Sequence, residues 1–214
     1  MEDIKFGTFT DPRDGHQYRT VKIGKQEWFA ENLCYKTVGG NADDGKGSYV
    51  YENKPENEAK FGRLYTWAAA MDLPYAFSNK VAFETRQEKD AVHRGIAPEG
   101  WHIPSDEEWK EMIKFVHQHS DMDSGTALKS KEGWKEDPEG CPAGTDEFGF
   151  CILPAGRRQG DQFLYLNKGG HFWTSTEKDA VYADRWGITY TGMRIEVFEN
   201  FKGNALPIRC VKDR

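Results

Sequence analysis

Residues 100–109, GWHIPSDEEW, set a histidine ahead of three carboxylates and bracket them with tryptophans, the residue types from which a general acid–base centre can be assembled. The same letters also spell the start of a helix. Ser105 and Glu108 form an S-x-x-E capping box, and Asp106 and Glu107 fall in the first turn, where the helix dipole favours negative charge. Trp109, Met112, Ile113 and Val116 then recur as an apolar stripe. The carboxylates are therefore assigned to helix-start chemistry. For His102, in an extended entry before Pro104, a structural hydrogen-bonding role is favoured over a catalytic one.

Other reactive constellations are incomplete in this chain. The segment NADDGKGSYVYE places Asn41, Asp43 and Glu52 at the first, third and twelfth positions of a calcium loop, but Gly45 and Lys46 stand where a ligand and the turn glycine are needed. A solvated turn is expected there, with no metal. No G-x-S-x-G, H-E-x-x-H or phosphate-cradling glycine loop occurs. Cys34, Cys141, Cys151 and Cys210 show no close C-x-x-C pairing, which argues against a zinc knuckle. Their even number permits two disulfides, Cys141–Cys151 across the short loop CPAGTDEFGFC and Cys34–Cys210; four reduced, buried thiols are the alternative.

The elements that must position such residues come from periodicity. YRTVKIGKQEWFAENL carries β-branched and aromatic residues on both sides of Gly24-Lys25 and is expected to form a β-hairpin. Residues 36–60, rich in Gly, Asn, Asp and Lys, are expected to form a long surface loop. Phe61, Leu64, Tyr65 and Ala68 follow the i, i+3, i+4, i+7 pattern, predicting an amphipathic helix that ends near Pro74. The helix after Ser105 is the second. In the last third, FGFCILPAGRR, HFWTSTE, AVYADRWGITY, MRIEVFE and ALPIRCVKD are short β-rich runs between Gly, Asn and Lys turns, as in a twisted antiparallel sheet. Hairpin, two helices and then sheet is an α+β order.

A chain of 214 residues fits one decorated domain. Charged residues reach 30%, yet aromatics reach 14%, which suggests a polar, loop-rich surface around an aromatic core. The net charge of −6, with basic residues scattered, argues against nucleic acid as a partner. No apolar run approaches the ~20 residues of a bilayer span. Met1 opens on EDIKFGTFTD without a signal-peptide pattern, so the chain is expected to be cytosolic or to have lost a targeting segment.

Several segments together carry a resemblance. TVKIGKQEWFAENL, FGRLYTWAAAM, PEGWHIPSDEEW, GTDEFGFCILPAGRR, FWTSTE and IRCVKD stand in the order found in the Fibrobacter succinogenes major paralogous domain family, from about Gly15 to the C-terminus. The resemblance implies a C-type-lectin-like fold, with two helices packed on a twisted antiparallel sheet, long loops and adjacent N- and C-terminal strands. Residues 1–14 would be an extension. It also implies an exported bacterial surface protein, with a lipid anchor on a removed N-terminal segment as one possibility. The meeting of the chain ends in that fold suits a Cys34–Cys210 pair. Many members have a cysteine before PxGWH where this chain has Ala97, so Cys34 would stand in for it.

On that fold, recognition is carried by loops and one displayed sheet face. The expected function is a non-enzymatic surface module that binds an extracellular glycan or protein, with no cofactor. The alternatives are a structural surface protein or a variable ligand-binding protein of the diversity-generating-retroelement type. An enzyme of the formylglycine-generating group is less favoured, because Cys141 and Cys151 are not closely spaced and His117-Gln118-His119 does not match an H-x-x-x-H-x-E helix. Strand alternation puts Tyr182, Asp184, Trp186 and Ile188 on one face and Ala183, Arg185 and Gly187 on the other, only one of which can be exposed. The ligand-binding candidates are Tyr182, Arg185, Trp186, Tyr190, Arg194, Glu196, Glu199 and Asn200. If Trp186 and Ile188 are core, the displayed set narrows to Tyr190, Arg194, Glu196, Glu199 and Asn200. Neither an E-P-N, Q-P-D nor W-N-D triplet supports a calcium-dependent sugar site.

Overall fold

Alternation of large apolar side chains decides this architecture more than helix periodicity does. A computed structural model describes residues 4–37, 47–89 and 91–214. The strands are β1 (Phe6–Thr10), β2 (Gln17–Ile23), β3 (Gln26–Phe29), β4 (Ser48–Tyr49), β5 (Leu64–Thr66), β6 (Trp101–His102) and β7 (Ala155–Gln159). They continue as β8 (Gln162–Leu166), β9 (Gly169–Glu177), β10 (Tyr182–Thr189), β11 (Glu196–Phe201), β12 (Ala205–Leu206) and β13 (Val211–Lys212). The α-helices are α1 (Pro55–Phe61), α2 (Trp67–Ala70), α3 (Arg86–Lys89), α4 (Asp106–His119) and α5 (Ser124–Leu128).

Three antiparallel sheets result, in the orders β1-β2-β3-β13-β6, β11-β10-β9 and β4-β5-β12-β7-β8. This corrects the expected α+β arrangement of two helices on one twisted sheet: the described residues are mostly β, and α4 is the one helix longer than two turns. The hairpin turns at Gly24, and β13 lies beside β3 with Val211 opposite Trp28.

The expected helix from Phe61 through Ala68 does not form. Helix α1 ends at Phe61, Gly62 takes φ +69° with no room for a β-carbon beside Asn32 and Leu33, and Leu64, Tyr65 and Thr66 become the buried strand β5. A side chain at Gly62 would meet the Leu33 carbonyl at 2.9 Å, so the left-handed turn is open only to glycine. The apolar spacing reflects burial by successive unlike elements. The expected loop over residues 36–60 likewise contains β4, a 3-10 turn at Tyr51–Asn53 and α1. The calcium-loop positions Asn41, Asp43, Gly45 and Lys46 lie outside the described residues.

Among the described residues two large aromatic clusters dominate the core, beside a small third one of Tyr51, Leu64 and Ala205. Tyr18, Phe29, Trp67, Trp101 and Trp173 belong to one, and Trp28, Trp109, Phe150, Phe172 and Trp186 to the other. Neighbouring residues such as Trp28 and Phe29, or Phe172 and Trp173, enter different clusters, because successive strand side chains point to opposite faces. Strands β3 and β9 therefore run between the two cores. Buried Arg209 ties them together, donating to the carbonyls of Phe29, Phe150 and Cys151 and to Asn32 Oδ1 at 2.7 Å.

Both expected disulfides are absent: Cys34, Cys141, Cys151 and Cys210 are free thiols. The Cys141 thiol turns to the Gly192 carbonyl at 3.5 Å, while Cys151 is held at φ +54° by its N–H bond to Asp146 and by Arg209 on its carbonyl. The Cys34 thiol faces the Glu58 carbonyl, and Cys210 is sealed in the first aromatic cluster. Among the described residues no helix is long and apolar enough to cross a membrane.

Candidate ligand-binding face

The capping box forms as its letters require. The Glu108 N–H donates to Ser105 Oγ at 3.3 Å, and the Glu108 carboxylate accepts from the Ser105 N–H at 2.9 Å. Its second oxygen takes a bond from His102 Nε2 at 2.8 Å, and His102 Nδ1 lies 2.7 Å from Asp213. An imidazole between two carboxylates donates from both nitrogens only when protonated. Burial pulls the His102 pKa down, but the bonds to Glu108 and Asp213 outweigh it and leave His102 above its ordinary value. It clamps β6, α4 and β13 together.

Strand β10 is covered on both faces. Its register with β9 shifts between Ala183 and Arg185, so Ala183 and Asp184 are both buried, and Trp186 and Ile188 enter the second core cluster. Trp186 donates its indole N–H to Asp106 and stacks on Trp109. Between Ala183 and Ile188 only Arg185 reaches solvent, and then in part. It lies beside Phe198 of the edge strand β11, with its guanidinium carbon 4.7 Å from the ring centroid.

The other candidates scatter. Tyr190 is half-buried against Lys135 and lines a separate cleft of about 410 Å³ with Lys129, Trp134 and Cys141. Arg194 is exposed and paired with Asp123 at 2.8 Å. Glu199 is exposed, opposite Asp184, and Tyr182 is exposed opposite Phe201. Glu196 is exposed across from Gly187. Asn200 is buried, opposite Ala183, on the same face as Arg185.

Around Arg185 and Asn200 the fold gathers residues that sequence reasoning missed. Arg185 donates to His171 Nδ1 of β9 at 3.0 Å, and Arg157 of β7 donates to Asn200 Oδ1 at 3.5 Å. Tyr165 of β8 closes the circuit, with the Arg157 guanidinium 4.9 Å from its ring centroid and the His171 ring edge-on at 5.9 Å. Gly187 makes room for the pair: a β-carbon there would come within 2.3 Å of the Arg185 guanidinium and 2.7 Å of His171 Nδ1. Tyr165 itself sits at φ +66°, a backbone region that costs a non-glycine residue roughly 1–2 kcal/mol.

Polar satisfaction is incomplete at this face alone to such a degree. Of the six buried polar side-chain atoms without a protein partner among the described residues, four are Arg157 Nε, His171 Nε2, Arg185 Nε and Asn200 Nδ2. All four are donors. Because Arg185 can only donate, His171 Nδ1 must accept, which leaves the proton on Nε2; Asn200 Oδ1 accepts from Arg157 and Asn204, which fixes the amide's orientation. Each unmatched buried donor costs about 1–3 kcal/mol. Burial, then the charges of Arg185 and Arg157, push the His171 pKa well below the usual imidazole range. Burial and Arg157 lower Arg185 to about 10. Neither arginine meets a carboxylate within ion-pair distance among the described residues.

Exposed rings flank this polar floor, Tyr165 at 44% and Phe198 at 43%. No group of three or more His, Cys, Asp or Glu among the described residues is placed to hold a metal ion. A signal for Arg157 was present in the sequence run FGFCILPAGRR, but nothing local said that β7 would face β11.

No curated protein and no solved structure matches the chain. The model of the Fibrobacter succinogenes major domain matches residues 21–212, which takes in the capping box, the buried Arg209 and every residue of the face around Arg185. The chain therefore belongs to the Fibrobacter succinogenes major domain family.

Proposed function

We propose that the chain is a non-enzymatic binding module, exported to the cell surface, that recognises an extracellular glycan or protein through the face where β7 and β8 meet β9, β10 and β11. One observation carries this: two guanidinium groups without carboxylate partners, with four unmatched donors on and around them, stand against two exposed aromatic rings. Folding alone does not reward unmatched buried donors, whereas a ligand rich in acceptors does. Exposed Tyr and Phe give large contact area with few rotors to freeze.

The proton inventory supports binding without turnover. The lone pair of His171 is occupied by Arg185, so the imidazole is not available as a general base. A glycan array, followed by pull-down from extracellular extracts, tests the proposal with wild-type protein and Phe198→Ala. Retention of an unmodified ligand by wild type, and its loss in the variant, is the expected result. Ligand bound equally by Phe198→Ala, or consumed during incubation, contradicts it.

A further inference from the structure

We infer that the face around Arg157 and Arg185 receives the oxyanion of an acidic glycan, a carboxylate or a sulfate, while Tyr165 and Phe198 take the adjoining sugar rings. The inference rests on the binding-module proposal and names its ligand class.

Partial burial of guanidinium groups with no carboxylate partner marks this face among the described residues. Arg13, Arg19, Arg63, Arg158, Arg194 and Arg214 each pair with a carboxylate. Arg209, fully buried, has its donors on carbonyls and on Asn32. Arg157 and Arg185 have no carboxylate: Arg157 donates to the amide oxygens of Asn200 and Gln159, and Arg185 to the His171 ring. They are close enough for each to be felt by His171, which stays neutral, and their remaining Nε–H groups find no acceptor. His171 Nε2–H and the Asn200 amide add two more donors and no free acceptor lone pair toward a cation.

Donors only, with two positive charges, define an anion receptor. A neutral sugar hydroxyl would satisfy some of these donors but neither charge. The exposed rings stand beside the two guanidinium groups, Tyr165 with Arg157 and Phe198 with Arg185, so a sugar ring would lie next to its own charged substituent. The Tyr165 ring lies against both Arg157 and His171. Glu196, exposed on the same strand face, stands across from Gly187 and forms no ion pair with either arginine. The chain's net charge of −6 repels polyanions in general, so capture of one would report this local site rather than bulk attraction.

The test is calorimetric titration with two matched pairs: oligogalacturonate against its methyl-esterified form, and a sulfated galactan oligosaccharide against its desulfated form. A polyglutamate peptide serves as a fifth probe. Wild type is expected to bind at least one acidic glycan about tenfold or more tightly than its neutral partner, and the preferred pair distinguishes carboxylate from sulfate. Arg157→Ala should lose about tenfold or more on the acidic member and little on the neutral one. Arg185→Lys keeps the charge but not the planar fork; it should unfold near the wild-type midpoint and also lose affinity. Equal binding of charged and neutral partners, unmoved by either variant, overturns the anion assignment and leaves the binding-module proposal standing. Binding of polyglutamate in place of the glycans overturns the glycan assignment. No binding to either acidic glycan overturns the inference, and the array with Phe198→Ala then decides the wider proposal separately.

Discussion

Glu108→Ala should be far more costly than the loss of a helix cap. The carboxylate accepts from the Ser105 N–H and Oγ, each at 2.9 Å, and from His102 Nε2 at 2.8 Å. Losing the cap alone, as in Ser105→Ala, should cost about 1 kcal/mol. Losing the bond to a buried imidazolium adds roughly 1.5–3 kcal/mol, so Glu108→Ala should cost about 3 kcal/mol. Glu108→Gln can still accept from Ser105, but its NH₂ would oppose the His102 Nε2–H and force that nitrogen to lose its proton; about 1–2 kcal/mol is expected. The pH dependence has a definite sign. The folded His102 pKa is raised, so its contribution is full below about 6.5 and is lost as pH rises through the folded value. Burial pushes the Glu108 carboxyl up, but bonds from His102 and Ser105 leave it below its ordinary value, so its contribution is full above about 4.5 and is lost as pH falls through the folded value. Urea unfolding of the three variants at pH 5.5 and pH 9 measures this. The gap between Glu108→Ala and Ser105→Ala should narrow at the higher pH, because a neutral His102 gives Glu108 a weaker bond than the imidazolium does. Equal costs for the two variants at pH 5.5 would refute the clamp.

Other buried contacts should be as costly to remove. Glu177 and Lys202 form an ion pair with both side chains fully buried, and Glu177 also accepts from the Ala82 and Phe83 N–H groups. Glu177→Ala should therefore cost about 3–5 kcal/mol in denaturant unfolding, with Glu177→Ala/Lys202→Met recovering part of it. All four cysteines should alkylate after denaturation without reductant, and mass spectrometry that finds any pair protected would contradict the free thiols. Trp186→Phe removes the bond to Asp106 and part of the Trp109 stack, so stability should fall by about 1–3 kcal/mol while ligand affinity, measured on the folded protein, stays near wild type.

Local chemistry was legible in the sequence where it depends on near neighbours. The turn at Gly24 and the Ser105–Glu108 box each close within four residues, and both form. Periodicity misled at Phe61–Ala68, because a helix end, a buried strand and a short helix can each hide an apolar residue at helical spacing. The β10 alternation separated Trp186 from Arg185, but it could not anticipate two cores enclosing the strand. Arg185 and Asn200 stood among the candidates, whereas Arg157, Tyr165 and His171 did not. Their meeting depends on β7 and β8 lying against β9, β10 and β11, a packing that no spacing within one segment encodes. The cysteine arithmetic failed for a similar reason: loop length permits closure, but Asp146 and Arg209 fix where Cys151 points.

The central claim, that the donors beside Arg185 bind the ligand, is tested most directly by NMR titration of side-chain N–H groups with the acidic glycan selected above. The Nε–H signals of Arg157 and Arg185 and the Nε2–H signal of His171 should shift together and saturate, while the Nε–H of Arg209, already bonded to Asn32 in the core, stays fixed. Saturable shifts confined to the Tyr190 and Lys129 cleft, with Arg157 and Arg185 unmoved, would contradict it.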